Sequence, residues 1–255
     1  MPFVTIHGRR LEIERIAATD PATPTLVFLH EGLGSVALWR DFPARVAAAT
    51  GCAALVYSRL GYGRSDPIPA PREVGYMHDE ARETLPALLE ALGIAAPILI
   101  GHSDGASIAL IHAGDGRWTV RGLVLEAAHV FVEDVTVASI AEAKEAWHKT
   151  DLRQRLSRYH ADVDGAFMGW NDIWLDPAFR SWNIEDVLPG VACPVLAIQG
   201  ADDEYGTPAQ LEAIERQVKG PVECLLLPQC KHSPHRDQPE AVLAAMTRFI
   251  ASYRG

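Results

Sequence analysis

Short apolar runs alternate along this chain with longer stretches of helical rhythm. Residues 26–29, 53–57, 97–100, 123–125, 195–198 and 224–227 are apolar with little or no polar alternation. Runs that are apolar on both faces predict parallel strands covered by helices. Residues 4–7 and 11–16 alternate in polarity around Gly8 and predict an edge hairpin. Helices are expected over residues 36–49, 79–92, 106–113, 208–218 and 240–253. Gly51, Gly93 and Gly114 mark three of their ends, and Thr207 offers an N-cap to a fourth. Strand alternating with helix at this spacing predicts a doubly wound α/β fold.

Residues 131–187 break the alternation. They contain no convincing strand and read as several helices with charged faces, carrying Trp147, Phe167, Trp170, Trp174, Phe179 and Trp182. A core formed by residues 1–130 and 188–255, with residues 131–187 inserted as a helical cap, is the expected organisation. A plain set of packed helices would give the same pattern.

Composition narrows the partners. The 255 residues suit one large α/β domain or a core plus a modest insertion. A formal net charge of −10 would repel a phosphate backbone, so nucleic acid is not an expected partner. The four cysteines, Cys52, Cys193, Cys224 and Cys230, form no CxxC pair and no metal-ligand spacing. Buried free thiols in a reducing compartment are expected. The first residues lack the basic start and apolar run of a signal peptide, and no apolar stretch reaches membrane-spanning length. The expected setting is cytoplasmic, with a small-molecule substrate, no membrane and, at most, a second copy of the chain as partner.

The chemistry gathers at the predicted strand ends. Residues 98–100 run into Gly101-His102-Ser103-Asp104-Gly105, followed by the small residues Ala106-Ser107-Ile108-Ala109. A bare G-x-S-x-G recurs by chance. Between a strand and a helix it describes a tight turn that exposes a serine hydroxyl, with glycines where side chains would block it. The alternative is a turn serine that caps a helix.

A serine needs a base. His232 and His235 both lie in the loop after the last strand, and spacing does not separate them. The base needs an anion. Asp202, Asp203 and Glu204 follow the strand at 195–198, each able to serve or to be a plain loop acid. Backbone N–H donors for an oxyanion are expected from Asp104 and from the loop His30-Glu31-Gly32-Leu33-Gly34-Ser35. No metal and no organic cofactor is expected.

With these residues in place the chain resembles the α/β-hydrolase superfamily, in its esterase, lactonase and C–C-hydrolase branch. Four motifs carry the resemblance in order over nearly the whole chain. They are His30-Glu31-Gly32-Leu33-Gly34, Arg59-Leu60-Gly61-Tyr62-Gly63-Arg64-Ser65, Gly101-His102-Ser103-Asp104-Gly105, and His232-Ser233-Pro234-His235 running to Gln238-Pro239-Glu240. The resemblance implies a mostly parallel eight-stranded sheet with a helical cap after strand 6. It implies Ser103 as nucleophile, Asp203 as the acid, His232 as the base, and the amides of Gly32 and Asp104 as the oxyanion hole. Glu31 stands where relatives carry glycine, and there a carboxylate can contact substrate or tie down the loop. Ser58 stands where many carry aspartate, a departure expected to be structural. The side chain of Asp104 is expected to cap its helix and anchor a loop. Glu31, Trp170, Trp174 and Trp182 are the candidate substrate contacts. Ester or lactone hydrolysis is the expected activity. A thioesterase, a C–C hydrolase of a ring-cleavage product and a cofactor-free dioxygenase are the alternatives.

Overall fold

The computed structural model describes residues 2–253. Eight strands form one sheet: β1 (Phe3–Ile6), β2 (Arg9–Ile16), β3 (Leu26–Leu29), β4 (Ala54–Tyr57), β5 (Ile98–His102), β6 (Gly122–Glu126), β7 (Val195–Gly200) and β8 (Val222–Leu227). Their order is β1-β2-β4-β3-β5-β6-β7-β8. The β1–β2 hairpin and the β2–β4 pairing are antiparallel, and every later pairing is parallel. The hairpin turns at His7 and Gly8, both at positive φ.

Strands β3 to β7 are buried along their whole length, as runs apolar on both faces require. Residues 224–227 differ. The sequence places them among the doubly covered strands, yet β8 is the sheet edge, and Leu226 is 45% exposed. An edge strand has only one neighbour, and both faces of β8 are only partly covered.

Among the described residues the chain forms ten α-helices: α1 (Phe42–Thr50), α2 (Tyr76–Asp79), α3 (Leu85–Ala91), α4 (Asp104–Gly114), α5 (Asp134–Lys149), α6 (Leu152–Leu156), α7 (Val163–Leu175), α8 (Pro208–Gln217), α9 (Pro234–Asp237) and α10 (Pro239–Tyr253). Successive strand residues point to opposite faces. Leu26 and Phe28 therefore pack with Val46 of α1 and Met246 of α10, while Val27 and Leu29 pack with Leu85 of α3 and Ile108 of α4.

Two predicted helices are interrupted, each beside a proline. Residues 36–49 split into a 3-10 turn (Val36–Trp39) and α1, parted by Arg40 at φ 55°. Pro43 has no N–H for the carbonyl four residues back, so one continuous helix would lose that bond. Residues 79–92 keep helical backbone angles across both junctions, and only the hydrogen-bond pattern changes. A π-turn (Glu80–Thr84) precedes α3, and Pro86 sits in the first turn of α3.

Between β6 and β7 the chain forms α5, α6, α7 and two 3-10 turns, Pro177–Ser181 and Glu185–Gly190. An isolated bridge between Phe131 and Asn183 brings the two ends of this segment together. Rings fill its interior: Trp147 stacks on Phe167 at 4.0 Å, and Phe179 on Trp182 at 5.4 Å. Of the four free cysteines, Cys52 and Cys230 are buried as expected, whereas Cys193 and Cys224 are only half-buried. Among the described residues no helix is long and apolar enough to cross a membrane.

Candidate active site

Strand β5 ends in a turn whose apex, Ser103, has φ 53° and ψ −119°. A non-glycine residue rarely adopts positive φ, and here it lifts the side chain off the strand line. The turn is tight enough to dictate its neighbours. A Cβ on Gly101 would overlap Ala106 and the Gly105 carbonyl, and one on Gly105 would overlap the Leu29 carbonyl. The Ser103 N–H is tied to the Glu126 carbonyl of β6 at 2.8 Å.

His232 comes from the loop after β8. Its Nε2 lies 3.0 Å from Ser103 Oγ, and its Nδ1 lies 2.8 Å from Asp203 Oδ1. Asp203 is fixed in turn by the Tyr205 N–H at 2.8 Å. Burial raises the Asp203 pKa, but the His232 hydrogen bond, the His232 charge and the Tyr205 amide outweigh it and hold the carboxyl below its ordinary value. An ionised Asp203 claims the Nδ1 proton and leaves the Nε2 lone pair facing the serine hydroxyl. The loop acids separate by position. Glu204 accepts the His232 backbone N–H at 3.2 Å, and Asp202 lies exposed. His235 is not beside the serine. Its N–H and Nδ1 donate to the buried Glu126 at 2.9 and 3.0 Å, and its ring packs on Trp39.

The loop after β3 forms the opposite wall. Arg59 N–H donates to His30 Nε2 at 3.0 Å, and His30 Nδ1–H donates to the Glu31 carbonyl at 2.7 Å. Burial, with Arg59 beside it, keeps His30 well below the ordinary imidazole pKa, so the ring is neutral as this pattern requires. Asp104 does not cap its helix with its side chain. The carboxylate turns away from the serine, accepting from Tyr76 Oη at 2.7 Å and pairing with Arg59 at 3.4 Å, both partners of that pair 1% exposed. The expected capping is therefore absent and the expected anchoring present, because a buried guanidinium this close would be costly without a carboxylate. The Asp104 N–H, at the first position of α4, has no partner within the helix. Gly32 is required by close approach: a Cβ there would overlap the Trp170 indole.

Glu31 does two things at once. Its carboxylate lies 3.5 Å from His102 Nδ1, a charge pairing too long to be a good hydrogen bond, and 3.3 Å from Arg236. His102 Nε2–H donates to the His232 carbonyl at 2.7 Å, so Glu31 is linked to the loop that carries His232. Burial opposes protonation of His102, but Glu31 overcomes it and holds the pKa above the ordinary imidazole value. Glu31 also lines the cavity. Ser58, the other departure, accepts from the Val36 N–H and donates to Glu12 on β2 at 2.8 Å. A carboxylate is thus present beside residue 58, supplied by another strand.

The cavity beside Ser103 has a volume of about 110 Å³ and opens to solvent. Leu33, Ile140, Trp170 and Trp174 give it an apolar side; Glu31, His129, Thr136 and Tyr205 give it polar contacts. Trp182 does not line it. That ring sits behind Trp174, stacked on Phe179. His129 and Tyr205 were not legible as site residues, since neither belongs to a motif. Their only signal is position, at the chain ends of β6 and β7.

The family model described as "Alpha/beta hydrolase family" matches residues 26–245. The chain belongs to the alpha/beta hydrolase family. Among curated members, the 2-succinyl-6-hydroxy-2,4-cyclohexadiene-1-carboxylate synthase of Klebsiella pneumoniae is 27% identical, over 92% of this chain and 98% of that one. Two solved alpha/beta hydrolase structures are similar in fold. The esterase of Exiguobacterium antarcticum has a TM-score of 0.77 at 18% identity, over 98% of each chain. The enol-lactonase of Burkholderia xenovorans LB400 has a TM-score of 0.75 at 18% identity, over 98% of this chain and all of that one. The expected hydrolase fold, with its mostly parallel eight-stranded sheet, is the one observed.

Proposed function

We propose that this alpha/beta hydrolase is a serine esterase, cleaving a carboxylic ester or lactone of a small to medium, largely apolar substrate through an acyl-enzyme. One observation carries the reading. Ser103 Oγ, His232 and Asp203 form an unbroken chain of 3.0 and 2.8 Å contacts, with the serine on a positive-φ turn facing the cavity. Ser103 attacks the carbonyl while its proton passes to His232 Nε2, and Asp203 stabilises the imidazolium. The amides of Gly32 and Asp104 hold the oxyanion. His232 then protonates the departing alcohol, activates a water, and the second tetrahedral intermediate collapses to acid and free Ser103.

The segment between β6 and β7 acts as a cap whose Trp170 and Trp174 receive the apolar part of the substrate. Among the described residues the cavity lining includes no lysine or arginine and does include Glu31. A neutral ester suits that wall better than a carboxylate-bearing substrate of the kind named for the Klebsiella relative.

The test is a panel of p-nitrophenyl esters of varied chain length, lactones, acyl-CoA thioesters and a ring-cleavage diketone, run with wild type and Ser103→Ala. Wild type should react with a fluorophosphonate and turn over esters or lactones. Ser103→Ala should fold, resist labelling and lose roughly 10³-fold or more in turnover. Undiminished turnover without Ser103 would overturn the reading, and oxygen uptake by that variant would replace it.

A further inference from the structure

One polar side chain in the cavity has no task in this reaction. His129 follows β6, is 2% exposed and lines the cavity. Its ring lies 5.7 Å from that of His232 and 5.2 Å from that of Trp174, centroid to centroid. Its backbone is pinned by Ser107, whose hydroxyl accepts the His129 N–H at 3.3 Å and donates to the His129 carbonyl at 2.6 Å. The ring itself is unused. Its Nδ1 is sealed from solvent with no hydrogen-bond partner among the described residues, and Nε2 is the nitrogen left for a molecule in the cavity.

A buried polar ring without partners costs stability that an apolar side chain of similar shape would not. Ligand pockets carry a few such groups because they fix orientation. Burial, with His232 next to it, lowers the His129 pKa to about 4, so the ring is uncharged at neutral pH and Nε2 presents either an N–H or a lone pair, according to tautomer. Among the described residues the cavity wall supplies a carboxylate, Glu31, but no lysine or arginine.

We propose that His129 is a specificity-determining residue that hydrogen-bonds an uncharged substrate oxygen, a hydroxyl or carbonyl, close to the scissile carbonyl. This rests on reading the cavity as the substrate site. The oxygen can belong to the acyl part or to the alcohol part, since His129 stands beside His232, where the leaving group is protonated.

Two isosteric pairs separate these sources. For the acyl part the pair is p-nitrophenyl butyrate and p-nitrophenyl 3-hydroxypropionate; for the alcohol part it is propyl acetate and 2-hydroxyethyl acetate. In each pair a methyl becomes a hydroxyl. Wild type should favour the hydroxylated member of at least one pair by roughly 10- to 100-fold in kcat/KM. His129→Leu should bring that ratio to within about twofold of one, and His129→Gln, which keeps a donor and an acceptor, should restore part of it. No preference in either wild-type pair, or a preference that survives in His129→Leu, overturns the proposal.

The same pairs are titrated into the ¹⁵N-histidine-labelled Ser103→Ala protein, which needs no change at residue 129. A hydroxylated probe should move the His129 imidazole ¹⁵N resonances where its alkyl partner does not. Equal or absent shifts for both members overturn the proposal even if His129→Leu fails to fold. Absence of all turnover with a selective shift sinks the esterase reading and leaves the His129 proposal standing.

Discussion

At the C-terminal edge of the sheet, Ser103, His232 and Asp203 are held by backbone geometry; across the cavity, Trp170 and Trp174 are held by other rings. The difference shows in what surrounds each group. Around Ser103 the constraints are hard: a positive φ, glycines with no room for a Cβ, and an N–H tied to the neighbouring strand. Around the tryptophans most constraints are soft packing contacts, such as Trp174 against Phe179 at 4.8 Å and Phe167 against Trp170 at 5.9 Å, joined by one hydrogen bond from Trp174 Nε1 to Tyr76 Oη at 3.1 Å. Sub-ångström placement matters for bond-making groups, whereas a binding wall tolerates repacking. The first region should set whether a carbonyl is attacked, and the second which carbonyl.

The comparison breaks most sharply at Asp203. Asp203→Asn keeps the shape but loses the charge that selects the His232 tautomer. The expected loss in kcat is about 10³- to 10⁴-fold, with KM little moved, measured on the best ester of the panel. The His232 and Tyr205 partners of Asp203, which outweigh its burial, also set a pH dependence. Its folded pKa lies below the ordinary value, so its contribution to stability is present above that value and is lost as pH falls through the folded one. A loss of kcat under tenfold would mean that the anion is not doing what the first region requires.

The two tryptophan positions sharpen the other half. Trp182→Ala should destabilise the fold by about 3–5 kcal/mol in denaturant unfolding, because it opens a hole beside Phe179 and Trp174. Its chain-length preference should stay that of wild type. Trp170→Ala should do the reverse in kind, shifting acyl-chain preference by roughly tenfold while costing less stability, since the ring faces the cavity. If both variants shift the preference equally, the second region acts as one body and the cavity lining is not what selects.

The same contrast explains what could be read from the sequence. The order of apolar runs and the turn around Ser103 were legible because glycine, strand and small-residue helix are each demanded by sterics. The choice of His232 and Asp203 needed family resemblance, since two histidines and three carboxylates share their loops. The packing position of Trp182 was not legible, because a tryptophan facing a cavity and one facing Phe179 look alike in a helical segment. His129 was invisible for a different reason. Its burial comes from β6 meeting the segment beyond it, a long-range fact that no local pattern encodes. Pro43 and Pro86, by contrast, were in plain view and mark where helical rhythm overrode a local backbone rule.

Glu31 joins the two regions, and its removal gives the smallest effect. Glu31→Gln should lower stability by about 1–2 kcal/mol near pH 6, as the carboxylate is 18% exposed and only partly shielded from solvent. The sign with pH follows from both partners. The Glu31 pKa is depressed: burial works against ionisation, but His102 and Arg236 outweigh it, so its contribution is lost in acid. The His102 pKa is raised by Glu31 against burial, so that contribution is complete below the ordinary imidazole value and fades as pH rises through the folded one. The gap between wild type and Glu31→Gln should therefore be widest between about pH 5 and 6.5 and shrink above it, leaving the Arg236 pairing. Thermal unfolding of both proteins from pH 4 to 9 measures this. A gap that stays level from pH 6 to 9 would show that Arg236 alone holds Glu31, and that the loop bearing Gly32 is not coupled through His102 to the loop bearing His232.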